Sequence, residues 1–103
     1  MKIRPFFESR KVEQPAGLMS LLADVSAPLD ERGDAAGDLG LYDEALPVLL
    51  NVASEPGQDA NLVETCAESV FEILKRTRRF GQADCSALPD HWRQAIDGLK
   101  KDA

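Results

Sequence analysis

Asp30-Glu-Arg-Gly-Asp-Ala-Ala-Gly-Asp-Leu-Gly40, then Leu41-Tyr-Asp-Glu-Ala-Leu-Pro-Val-Leu-Leu50 and, after a loop, Asn61-Leu-Val-Glu-Thr-Cys-Ala-Glu-Ser-Val-Phe71 are the segments that decide the fold. Ala35-Ala36-x-x-Leu39 aligns with Cys66-Ala67-x-x-Val70 at a spacing of 31 residues. An internal period within the ~20–50-residue range of solenoid units points to stacked helical hairpins. A five-helix bundle without true repeats is the alternative reading of the same periodicity.

Upstream, Pro15 suits a first helical position, because its missing N–H would have no partner there anyway. Leu18, Leu21, Leu22 and Val25 follow at i, i+3, i+4, i+7 and mark one apolar face. Ser26 to Pro28 ends that helix, since a residue before proline avoids helical backbone angles. A second helix is expected from Pro28 or Leu29 to Leu39 or Gly40, with a narrow face of Ala35, Ala36 and Leu39. Gly33 and Gly37 weaken it by about 1 kcal/mol each relative to alanine, and Gly40 fits a left-handed stop. Asp43 reads as the N-cap of a third helix, with Glu44 and Pro47 in its first turn and Leu46, Leu49, Leu50 and Ala53 facing inward.

Ser54 to Asp59 is loop. Asn61 is the expected cap of a fourth helix, whose core face is Val63, Cys66, Ala67, Val70 and Leu74, with Phe71 and Ile73 on its flanks. Lys75, Arg76, Arg78 and Arg79 crowd its C-terminal end, where positive charge suits the helix dipole. After a loop over 81–87, a last helix from Pro89 to Lys101 buries Trp92, Ile96 and Leu99. The expected layout is one domain over 1–103. Residues 1–14 form an irregular N-terminal cap with Ile3, Phe6 and Phe7, 15–74 two helix pairs, 75–87 a basic helix end and loop, and 88–101 the terminal helix.

A chain of 103 residues that is 44% apolar has enough for one modest core and too little for two. No apolar run approaches the ~20 residues of a membrane span. Pro5 and Glu8 interrupt Ile3, Phe6 and Phe7, so the N-terminus lacks the apolar stretch of a signal peptide, and a cytoplasmic protein is the expectation. Cys66 and Cys85 are then free thiols, a disulfide being the alternative. The net charge of −6 is unevenly spread: from Asp24 to Glu72 stand twelve acids and one base, Arg32, while the flanking segments are both net basic. Such segregation bears on partners rather than on fold.

Arg32-x-x-Ala35-Ala36-x-x-Leu39-Gly40, followed by Asp43-Glu44-Ala45-Leu46-Pro47-x-Leu49-Leu50 and by Val63-x-x-Cys66-Ala67-x-x-Val70, resembles the HEAT-like repeats, in particular the short bacterial form related to phycobilisome-lyase repeats. The resemblance covers residues 29–74 and touches the first and last helices loosely. It departs at Val63, where the family has arginine, at Cys66, where it has alanine, and at Phe71, where it has glycine. It implies an all-α fold, a short right-handed α-α superhelix of two to two-and-a-half repeats and about five helices, which binds another protein along a curved surface. The family's arginine at the position of Arg32 makes a structural pairing between neighbouring repeats, for which Asp38 or Asp43 would serve here.

Asp30, Asp34 and Asp38 recur at i, i+4, i+8 on the second helix, and Glu64, Glu68 and Glu72 on the fourth. At ~100° per residue, each row lies about 145° from its own apolar face and points to solvent. Parallel packing of the two helices would merge the rows into one acidic ridge. Like charges at this spacing destabilise a helix by about 0.2–0.5 kcal/mol per pair, and no cation interleaves. Such a surface suits a basic partner, whose approach it speeds; it serves equally as a solvated face.

Trp92 reads as core, or as an exposed indole at an interface. The four-residue basic patch is narrow for nucleic acid, and helix termination and ion pairing account for it. His91, beside Asp90 and Trp92, has no nucleophile elbow or third group to form a catalytic constellation. Two cysteines and one histidine match no metal-ligand spacing, and Gly33-x-x-x-Gly37-x-x-Gly40 is helical rather than a phosphate loop.

The expected function is a non-catalytic protein-binding module, with no cofactor or metal and no nucleic-acid or membrane role. It would be a small acidic inhibitor or immunity protein that neutralises a basic partner such as a nuclease toxin. Asp30, Asp34, Asp38, Glu64, Glu68, Glu72 and Trp92 would form the contact. The alternative is an adaptor or regulatory subunit of a larger complex, binding through an apolar concave surface.

Overall fold

The apolar periodicities become five α-helices in the computed structural model, which describes residues 15–102. They are α1 (Ala16–Ala23), α2 (Leu29–Asp38), α3 (Leu46–Ala53), α4 (Ala60–Thr77) and α5 (Asp90–Lys101). Short 3-10 turns lie at Leu39–Leu41, Asp43–Ala45 and Phe80–Gln82, the last of them at the edge of the expected 81–87 loop. Among the described residues there is no strand, and the fold is all-α. The expected cap at 1–14 lies outside the described residues.

The 18-residue α4 is the hub: α2, α3 and α5 all pack on it, and α1 packs on α2. Its length follows from Leu62, Cys66, Ala67, Val70, Ile73 and Leu74, which recur at helical spacing and are all buried. Against them lie Leu22 of α1, Ala35, Ala36 and Leu39 from the α2 segment, and Leu49 of α3, each at most 1% exposed. Val63, expected in the core, sits at its margin, and Leu62 takes the inward position instead.

The helix ends depart from expectation in ways that follow the backbone's unsatisfied groups. Asp59, not Asn61, caps α4: its carboxylate accepts from the Leu62 N–H at 3.0 Å. Pro15 occupies the cap position of α1 rather than its first turn, and α1 closes at Ala23. Val25 therefore falls outside the helix and is 83% exposed. Asp43 does not cap α3, where Ala45 holds the cap position without a side-chain bond; Asp43 lies in a 3-10 turn.

Gly40 does not take the left-handed conformation, which among the described residues belongs to Gly57 and Arg78. Its lack of a side chain serves helix contact instead. A Cβ there would come within 3.0 Å of Ser69 Oγ and 3.4 Å of Ser69 Cα. Ser69 uses that proximity to donate to the Ala36 carbonyl at 2.6 Å. The left-handed stop of α4 falls on Arg78, at φ 59°, whose N–H returns to the Leu74 carbonyl.

Two turns with the same Asp–Ser side-chain bonding launch α2 and α5. Asp24 accepts from both the N–H and the hydroxyl of Ser26, at 2.9 and 2.6 Å. Asp84 does the same with Ser86, at 3.1 and 2.7 Å. Each turn leads to a proline in the cap position, Pro28 or Pro89, with extended backbone angles that aim the chain into the helix. These bonds hold both aspartates below the usual carboxylate range.

Three arginines donate to carbonyls at or just beyond helix C-termini, where the main chain runs short of donors. Arg32 donates through Nε to the Leu22 carbonyl of α1 at 2.9 Å. Arg76 donates to the Gly40 carbonyl, just beyond α2, at 3.2 Å. Arg78 reaches the Leu99 carbonyl in the last turn of α5 at 2.8 Å. The expected pairing of Arg32 with Asp38 or Asp43 is thus replaced by a carbonyl contact.

Candidate functional site

The helices that carry the two carboxylate rows, α2 and α4, meet along one seam. Leu29, Asp30 and Gly33 of α2 lie beside Asp59, Asn61, Leu62 and Thr65. Farther along, Gly37, Gly40 and Leu41 lie beside Glu68, Ser69, Glu72 and Arg76. Chain order rises together on both sides, so α2 and α4 run parallel across a shallow groove.

The rows nevertheless do not merge as expected. Each four-residue step rotates a side chain by about 40° around its helix. On α2 that rotation carries the row away from the seam: Asp30 lines the groove, while Asp34 and Asp38 line neither end of it. On α4 the rotation carries the row toward the seam, so Glu64 stands on the α5 side and Glu68 and Glu72 enter the groove. The result is a diagonal band of carboxylates rather than a wall.

Glu64 is not available in the way its spacing suggests. Its Oε1 accepts from Trp92 Nε1 at 3.0 Å and faces His91 Nε2 at 3.2 Å. The indole bond, reinforced by His91, holds the Glu64 carboxyl below the usual glutamate range. Trp92 is half-buried, neither core nor free: its ring also meets Phe71 at a centroid distance of 5.6 Å. Glu64 and Trp92 are therefore the attachment of α5 to α4, along with buried Leu88 and Ile96. Leu99, expected in the core, is half-buried.

The other five predicted carboxylates are exposed. Asp30 accepts from the Glu31 N–H at 2.9 Å, and Asp34, Asp38, Glu68 and Glu72 make no ion pair among the described residues. Arg32, the single base of the acidic segment, is 5% exposed and contributes nothing to that surface. Arg76 contributes one cation at the end of the groove, where it binds Asp43 at 2.6 Å. Leu29 and Leu41, at 51% and 76% exposure, stand at opposite ends of the seam, each lining its own depression, and were not singled out by sequence reasoning.

The thiols are free. Burial pushes Cys66 up to about 12 and raises Cys85 as well, which makes both poor nucleophiles at neutral pH. Among the described residues no three His, Cys, Asp or Glu side chains converge as metal ligands, and no helix is long and apolar enough to cross a membrane. Comparison with known protein families, with curated proteins and with solved structures found no match.

Proposed function

We propose that this chain is a small HEAT-like protein-binding module that neutralises a basic partner, in the manner of an inhibitor or immunity protein acting on a nuclease toxin. The observation that supports this reading is that Asp34, Asp38, Glu68 and Glu72 form no ion pair among the described residues and are exposed on a segment whose sole base is buried. Carboxylates without internal cations repel one another until a positive surface arrives, and complementary charge speeds that arrival. The basic cluster at the C-terminal end of α4 offers little to nucleic acid, because Arg76 and Arg78 are already committed to carbonyls of this chain.

The test is affinity capture from the source cell. Wild type retains a basic protein at about 50 mM salt and releases it at about 0.5 M, where the Debye length falls to only a few ångströms. Asp34→Lys/Asp38→Lys/Glu68→Lys/Glu72→Lys fails to retain it. Capture of a protein indifferent to both salt and these substitutions rejects the reading. It would favour an adaptor that docks on the apolar ends of the groove, for which exposed Leu29 and Leu41 are the specific evidence; Leu41→Ser then abolishes capture.

A further inference from the structure

The solvent face of α4 is polarised along its length. Glu68 and Glu72 lead, Lys75 follows on the same face, and Arg79 comes just past the helix end; all four are exposed. None makes an ion pair among the described residues. Arg76, which follows Glu72 at i+4, is drawn to Asp43 instead. Glu64, the head of the row, is held by Trp92 and His91. What remains is a stripe that is acidic in its first half and basic in its second.

Such a stripe is complementary to its own reverse. The four residues are symmetric in sequence about the Ile73–Leu74 peptide bond. An antiparallel copy placed with a two-fold axis at that point sets Glu72 against Lys75 in helical register and brings Glu68 to the helix end, where the chain turns at Arg78 and Arg79 follows. Sliding the copy by one turn would set Glu68 against Lys75 and Glu64 against Arg79, but Glu64 is already engaged. Leu41, 76% exposed and lining the same groove as Glu68 and Glu72, adds apolar area beside the axis.

We infer that this face of α4 docks a second copy of the chain, antiparallel, with Glu68–Arg79 and Glu72–Lys75 pairs each made twice across the axis. The contact is isologous and closes as a dimer, with no free end for further growth. This goes beyond the proposed function and adds regulation to it: a basic partner and a second copy compete for Glu68 and Glu72. It is tested on the purified protein alone, so its failure leaves the partner question separate.

Sedimentation equilibrium at micromolar to millimolar protein, in about 20 mM and about 0.5 M NaCl, reads it directly. Wild type dimerises at low salt, and its dissociation constant rises at least tenfold at high salt. Glu68→Lys/Glu72→Lys stays monomeric although its net charge lies nearer zero, the opposite of what relief of general repulsion would give. Lys75→Glu/Arg79→Glu breaks the same pairs from the other side. The chain carrying all four reversals, with net charge unchanged, dimerises again. Far-UV circular dichroism checks that each variant is folded. A wild type that stays monomeric at low salt overturns the inference, as does a dimer indifferent to reversal or a four-fold variant that fails to regain it.

Discussion

Gly33 and Gly40 stand on the same side of the α2 segment and answer to opposite constraints. Among the described residues nothing lies within 4 Å of a Cβ built on Gly33, whereas one on Gly40 meets Ser69 down to its backbone. Gly33→Ala should therefore stabilise the fold by about 0.5–1 kcal/mol, through the helix entropy that glycine forfeits. Gly40→Ala should destabilise it by about 1–3 kcal/mol, the typical cost of overpacking. Urea unfolding followed by circular dichroism measures both, and changes of equal sign would contradict the packing described. Arg32 makes a third case. Arg32→Met strands the Leu22 carbonyl and should cost about 1–3 kcal/mol in the same assay. A structural role for this arginine was expected from the family resemblance and from its standing as the single base of an acidic segment. Its partner was not, because sequence spacing displays carboxylates at helical intervals but gives no sign of which main-chain carbonyl is left without a donor.

For the elements, apolar spacing located all five helices, since each must bury a stripe at a period near ~3.6 residues whatever its neighbours do. Their ends were less legible. A cap is decided by competition for a few N–H groups, and Asp59 won α4 from Asn61 because it sits one residue before the first helical turn. The paired turns were readable and overlooked: Asp24-Val-Ser-Ala-Pro28 and Asp84-Cys-Ser-Ala-Leu-Pro89 share the Asp-x-Ser-Ala signature that folds the chain back before a proline.

The attachment of α5 yields a pH prediction. Because the folded Glu64 carboxyl lies below its usual value of 4.5, its contribution is complete above that value and is lost as pH falls through the folded one. The single Trp92 should then shift to the red in acid, ahead of the loss of helix signal. Glu64→Gln should show no such separate step, and coincidence of the two transitions in wild type would argue against a local release of α5.

At the level of the molecule, the charge map was legible and its geometry was not. Counting residues gave the acidic middle and the basic flanks, but the opposed drift of the two rows depends on which side of each helix faces the seam, and only packing decides that. Asp30, Asp34 and Asp38 on one helix and Glu64, Glu68 and Glu72 on the other contain four like-charged i, i+4 steps. At ~0.2–0.5 kcal/mol each, their screening should raise Tm by several degrees between about 20 mM and about 0.5 M NaCl at micromolar protein. Scanning calorimetry measures this; a fall in Tm would mean that the exposed ion pairs, such as Arg76–Asp43, outweigh the repulsion.

Among the described residues three helix ends are held by guanidinium groups, so chemistry that distinguishes arginine from lysine reports on the architecture. Acylation of the lysines leaves all three fastenings in place. A dicarbonyl reagent that closes a ring on arginine reaches exposed Arg76 and Arg78 before Arg32, and should loosen the molecule from its rim inward.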